Sequence, residues 1–135
     1  MYRVMIVEDD TGIAGAIQEQ LEMYSMQAHC VTNFRNVLSD FAAFQPHLVL
    51  LDIKLPYFHG YHWCGEIRKA SKVPIIFISS ASDSMNIVTA MNMGADDFIA
   101  KPFDQHVLMA KVQALLRRAY DFGTSVSVLE HRGAP

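Results

Sequence analysis

Apolar and polar positions switch between two periods along the chain. Residues 2–7 read as a strand with an apolar end, and residues 11–24 carry Ile13, Ile17, Leu21 and Tyr24 at helical spacing. A short strand is expected at 27–31 and a helix at 34–44, with Phe34, Val37, Leu38, Phe41 and Phe44 on one face. The run "HLVLLD" is apolar throughout until Asp52 closes it, and "LPYFHG" is a loop marked by Pro56 and Gly60. A helix follows at 61–70. The stretch "VPIIFISS" is another apolar strand, with Pro74 at its start, where a missing N–H is tolerated. The pattern then predicts a helix over 82–93 ended by Gly94, a strand over 97–100 and a helix over 104–118. Asp104 suits the N-cap of that last helix, and Arg117 and Arg118 suit its C-terminal dipole.

Five β–α units result. The first, third and fourth strands are apolar on both faces, which requires helices on both sides of a parallel sheet. Right-handed crossovers then favour a doubly wound α/β fold. At 135 residues, 51 % apolar and 19 % charged, the chain fits one globular domain with a real core. The net charge of −3 gives this stretch no basic footprint for nucleic acid. No apolar run approaches the roughly 18 residues of a membrane span, and the start lacks the pattern of a secretory signal. Cys30 and Cys64 have no metal-type spacing and read as reduced thiols, so a cytoplasmic location with no membrane partner is expected. After Arg118 the character changes: "AYDFGTSVSVLEHRGAP" reads as a linker followed by a short β-like piece. The expected division is therefore a domain over 1–119 and, over 120–135, a linker and the start of a further domain.

Candidate chemistry follows from the topology, because ligands of such sheets bind at the carboxyl ends of the strands. Glu8 and Asp9 follow the first strand, Asp52 ends the third, Ser79 and Ser80 end the fourth, and Lys101 follows the fifth. Four strands thus bring three carboxylates, hydroxyls and an ammonium to one edge. Clustered carboxylates raise one another's pKa unless a cation neutralises them. An all-oxygen donor set suits Mg²⁺, and the lack of His or Cys at a strand end argues against zinc. Taken alone, Asp9 or Asp10 reads equally well as a solvated first-turn acid. Taken with Glu8, Asp52 and Lys101, that reading is weak. Asp10 is expected to cap the first helix or to support the site from further out.

The stretches "VEDD", "LVLLDIKLP", "PIIFISS" and "GADDFIAKPF" occur in that order over residues 1–119. In them the chain resembles the receiver domain of two-component response regulators, and with "ALLRR" it is most similar to the OmpR/PhoB-like subfamily with a winged-helix DNA-binding domain. The resemblance implies a flavodoxin-like (βα)5 fold with strand order 2-1-3-4-5. It implies Asp52 as phosphoacceptor, and Glu8, Asp9, Asp52 and the Lys54 carbonyl as Mg²⁺ ligands. Lys101 and Ser79 would contact the phosphoryl group, and the Lys101–Pro102 bond would be cis. Ser79 and Phe98 would form the switch, Phe98 turning inward as Ser79 moves toward the phosphoryl group. Asp96, Asp97, Lys111 and Arg118 would pair across a two-fold homodimer on the fourth helix, fifth strand and fifth helix. The implied partners are a sensor histidine kinase and, through the further domain only, DNA. The implied role is a signalling protein, not an enzyme, that promotes its own Mg²⁺-dependent phosphorylation and dephosphorylation. The wording of residues 75–103 is similar to regulators that answer cell-envelope antibiotics, bacitracin-type or antimicrobial peptides.

The same residues admit other readings. A stand-alone receiver acting through protein contacts is the alternative. Flavin binding would need a Ser/Thr/Gly-rich loop where "EDDTG" stands, and a dehalogenase-type phosphatase would need a second Asp where Lys54 stands. His59, His62 and Cys64 are poorly spaced for zinc and lack a fourth ligand. Tyr57, Phe58, Tyr61 and Trp63 are expected to divide between core and partner surface. Met85, Met91 and Met93 read as core packing or an adaptable surface. Ser80 raises the question of whether it competes with Ser79.

Overall fold

A computed structural model describes residues 1–80 and 84–121, without the side chains of 84–86. The expected linker and further domain therefore fall outside the described residues beyond Asp121, as does Met85's packing. Strands β1 (Arg3–Val7), β2 (Gln27–Cys30), β3 (Leu48–Asp52), β4 (Ile75–Ser79) and β5 (Asp97–Ala100) alternate with helices α1 (Thr11–Met23), α2 (Val37–Phe44), α3 (Gly60–Arg68), α4 (Ser84–Asn92) and α5 (Gln105–Leu116). All pairings are parallel and the sheet order is β2-β1-β3-β4-β5, as the resemblance implied.

The apolar strands divide their side chains between two cores. Val4 and Ile6 of β1, Leu48 and Leu50 of β3, and Ile76 and Ile78 of β4 face α1 and α5, packing with Ile17, Leu21, Leu108, Met109 and Val112. Their sequence neighbours Met5, Val7, Val49, Leu51, Ile75 and Phe77 face the other way, against Val37, Trp63, Cys64, Ile67 and Ala90 of α2, α3 and α4. Successive strand residues point to opposite faces, and here both faces are covered. That is why these runs show no polar alternation.

Local chemistry sets the helix ends. Asp10 caps α1, its Oδ1 accepting from the N–H groups of Gly12 at 2.9 Å and Ile13 at 3.1 Å. The second helix starts at Val37 and not at 34, because Asn36 caps it by accepting from Ser39 N–H at 3.1 Å. Phe34 packs on the core from the preceding loop. Asp104 caps α5 as expected, accepting from His106 N–H at 2.7 Å. The last helix does not end at 118: α5 gives way after Leu116 to a wider π-helical turn over Arg117–Asp121. This turn is held to the sheet's amino-terminal edge. Tyr120 Oη donates to the His47 carbonyl at 2.8 Å, Tyr2 bonds Asp121, and the Tyr2 and Tyr120 rings pack around the His47 ring. Among the described residues no helix is long and apolar enough to cross a membrane.

Candidate functional site

The parallel order delivers the carboxyl ends of β1, β3, β4 and β5 to one edge. Asp52 is the last residue of β3 and only 3 % exposed, and Glu8 follows β1 with the same exposure. Asp9, the next residue, is exposed. Carboxylate oxygens of Glu8, Asp9 and Asp52 lie within 4.8 Å of one another, the one such group of possible metal ligands among the described residues. Lys101, just past β5, points into it, with Nζ 2.6 Å from Glu8 Oε1 and 3.2 Å from Asp52 Oδ2. The Lys101–Pro102 bond is cis, and Lys101 N–H donates to the Ser79 carbonyl at 2.6 Å. Ser79 ends β4 and is buried at 4 % exposure, whereas Ser80 is exposed.

The electrostatics follow from burial. Desolvation, foremost, pushes the Glu8 carboxyl up; Lys101 and the Asp10 N–H, which donates to Oε2 at 3.0 Å, pull it back, and the Asp52 charge adds to the rise. For Lys101 burial acts downward, but Glu8 and Asp52 outweigh it and its pKa is raised. One ammonium thus faces two buried carboxylates and an exposed third. This excess of negative oxygen donors, with no nitrogen or sulfur among them, fits a hard divalent cation.

Gly60, which the sequence marks only as loop punctuation, also belongs to the site. A Cβ on Gly60 would meet the Asp52 carbonyl oxygen at 2.2 Å. Gly60 N–H donates to the Ile53 carbonyl at 2.8 Å. The start of α3 therefore rests directly on the backbone of Asp52. The signal in the sequence was a glycine at a helix start following an acid-terminated strand.

The remaining expected residues divide. Lys54 N–H is directed at Asp52 Oδ1 at a long 3.4 Å. Phe98 on β5 is half-buried against the core. Asp97 bonds Lys111 Nζ through both oxygens at 3.2 Å, and Asp96 bonds Arg68 at 2.9 Å. Three of the four residues expected to pair across a dimer are thus paired within the chain, while Arg118 is exposed. The aromatic cluster divides between core and solvent. Trp63 is buried and Tyr61 packs on Phe77, while Tyr57 and Phe58 are exposed, with the Arg35 guanidinium 4.3 Å from the Tyr57 ring centre. Cys64 is a buried free thiol directed at the Met93 carbonyl, away from any zinc arrangement with the exposed His59 and His62.

Comparison with known proteins agrees with this geometry. The response regulator receiver domain family matches residues 4–113. The sensory transduction protein BceR of Halalkalibacterium halodurans is 44 % identical over 130 residues, which cover 96 % of this chain and 56 % of BceR. The chain thus spans about half the length of the curated relatives it matches. Among solved structures, the N-terminal domain of the nisin resistance regulator NsrR is 50 % identical with a TM-score of 0.80, covering 87 % of this chain and 99 % of that one. DrrB, an OmpR/PhoB homologue from Thermotoga maritima, is 30 % identical with a TM-score of 0.79, covering 88 % and 54 %. With its five-stranded order, its edge of acids facing one lysine and these likenesses, the chain belongs to the response regulator receiver domain family.

Proposed function

We propose that Asp52 accepts a phosphoryl group from a phosphohistidine of a sensor histidine kinase in the cytoplasm. A carboxylate oxygen of Asp52 attacks phosphorus, the new O–P bond forms as the P–N bond breaks, and the imidazole leaves. Phosphoryl transfer needs alignment and charge neutralisation more than proton transfer. Lys101 supplies part of that neutralisation from 3.2 Å, and the Ser79 hydroxyl donates to a phosphoryl oxygen once the group is in place. Glu8, Asp9, Asp52 and the Lys54 carbonyl are the residues that would hold Mg²⁺. When bound, the ion would neutralise phosphoryl and carboxylate charge. The chain in this way promotes its own phosphorylation and dephosphorylation.

In this reading the added charge and acceptor oxygens draw Ser79 inward, and Phe98 turns into the space it leaves. The α4–β5–α5 face then supports a homodimer, and DNA is met only through a further domain of the whole protein. The stimulus we assign is a cell-envelope-active antimicrobial peptide. What supports that class is the 50 % identity to the domain of NsrR, a nisin resistance regulator.

The observation that carries the phosphoacceptor reading is the buried Asp52 carboxylate set between Lys101 and two further acids. Intact mass after incubation with acetyl phosphate and Mg²⁺ tests it. A single phosphoryl adduct is expected, absent with EDTA and absent in Asp52→Ala. An adduct that persists in Asp52→Ala, or that forms equally with EDTA, overturns the assignment.

A further inference from the structure

The amino-terminal edge of the sheet, opposite the acids, holds a cavity of about 580 Å³. The start of β1, the α1–β2 turn, the approach to β3 and the end of α5 converge on it. Small-molecule sites run to roughly 300–1,000 Å³, so a compound of one or two rings has room here. Met26 and Leu116, both buried in the core, form its floor. Tyr2 and Tyr24 add two aromatic rings, the second 39 % exposed.

The polar part of the lining is rich in donors. Arg117 opens the π-helical turn and is exposed, and its side chain has no hydrogen bond or ion pair among the described residues. His47 Nδ1 accepts from Arg3 N–H, which leaves the ring proton on Nε2. That Nε2–H has no acceptor among the described residues. The amino group of Met1 adds positive charge beside His47. One acid, Asp121, stands against these, and its carboxylate already takes the Tyr2 hydroxyl. The lining is therefore short of an acceptor. A guanidinium matches a carboxylate with two parallel N–H groups, and it is more weakly hydrated than an ammonium.

We propose that this cavity is a second ligand site, for a small planar aromatic carboxylate. The ring system lies over Met26 and Leu116 between the two tyrosines, and the carboxylate meets Arg117 and His47 Nε2–H. The site is at the far end of the sheet from Asp52 and does not depend on the phosphoacceptor reading. Arg117 and Asp121 begin and end the turn that follows α5, so an occupant ties that turn to the sheet edge. Wider helical turns of this kind are frequent at functional sites.

Amide NMR of the whole chain tests this, with 2-naphthoate as probe and 2-naphthamide as its uncharged match. Naphthoate is expected to bind with a Kd of about 1 mM or tighter, shifting the amides of Tyr24, Ser25, His47 and residues 113–121. Naphthamide is expected to bind about tenfold more weakly. Arg117→Gln brings naphthoate down to the naphthamide level, whereas Arg118→Gln, which removes an exposed charge from outside the cavity, changes its Kd by less than about twofold. Tyr24→Ala, which removes one ring, weakens both probes by about threefold or more. Far-UV circular dichroism confirms that the three variants fold.

Amides around the cavity that stay unshifted up to about 10 mM naphthoate overturn the proposal. So do shifts centred on the acid edge, equal affinity for the two probes, or equal losses in Arg117→Gln and Arg118→Gln. The last result would show attraction to net charge and no seat for a carboxylate.

Discussion

Gly60 shows how a single missing methyl group can fix a reactive group. An alanine Cβ there would lie 2.2 Å from the Asp52 carbonyl oxygen, and neither backbone can yield without moving the strand end. Gly60→Ala is therefore expected to destabilise the fold by about 1–3 kcal/mol in urea unfolding. It is also expected to slow labelling by acetyl phosphate by up to about a hundredfold if Asp52 shifts on the order of 1 Å. An unchanged labelling rate would show that α3 does not position the acceptor. Asp9 gives the opposite trade. It adds a third negative charge beside two buried carboxylates that share one lysine. Asp9→Asn is expected to raise the thermal midpoint in EDTA by relieving repulsion, while weakening Mg²⁺ binding in titration calorimetry. A lower midpoint in EDTA would mean that Asp9 is held by attraction.

At the scale of the element, adjacent acids do different work. Asp10 is spent on α1, satisfying two N–H groups that the helix cannot bond itself. Asp10→Ala should cost about 1 kcal/mol in a denaturant titration and leave the extent of phosphorylation nearly unchanged. Loss of labelling on the same scale as Asp52→Ala would make Asp10 part of the site. The position of Asp10 was legible, because an acid before a helical pattern is a cap signal. The true start of α2 was not: Phe34 continues the apolar spacing, yet Asn36 competes for the backbone at Ser39 and begins the helix later. The end of α5 departs from the sequence pattern for a related reason. Tyr120 and Asp121 find partners on His47 and Tyr2, distant in sequence, and these contacts carry the coiling on as a wider turn.

That contact is a property of the whole molecule, and it titrates. His47 Nδ1 accepts from Arg3 N–H at 2.9 Å, which requires the neutral ring. Burial first, then the Arg3 guanidinium and the chain's amino terminus, lower its pKa from the ordinary 6.5. A histidine whose folded pKa is depressed binds fewer protons folded than unfolded. Its stabilising effect is thus whole above about pH 6.5 and is lost as pH falls below that value toward the folded pKa. Tyr2 and Tyr120 line the same ring, and Asp121 is held at one remove through Tyr2. His47→Asn keeps an acceptor close to the Nδ1 position but does not titrate. The drop in urea midpoint from about pH 7.5 to about pH 5.5 is expected to be smaller in that variant than in the parent chain. Equal drops would place the pH dependence elsewhere.

The sequence alone determined what depends on period and residue type. Apolar runs fix strands covered on both faces, helical spacing fixes the elements between them, and parallel crossovers fix the edge at which Glu8, Asp52, Ser79 and Lys101 meet. These are local rules applied in chain order, so they can be read from one sequence. Tertiary structure decided what depends on distance between remote residues. It pairs Lys101 with Glu8 as well as Asp52, presses Gly60 on the Asp52 backbone, and buries Ser79 while leaving Ser80 exposed. It also closes Asp97 on Lys111 and Asp96 on Arg68 inside the chain. A charged residue on a surface can find its partner within its own chain or on another. Residue type is the same in both cases, and only the fold supplies the 3 Å that separates them from a bond.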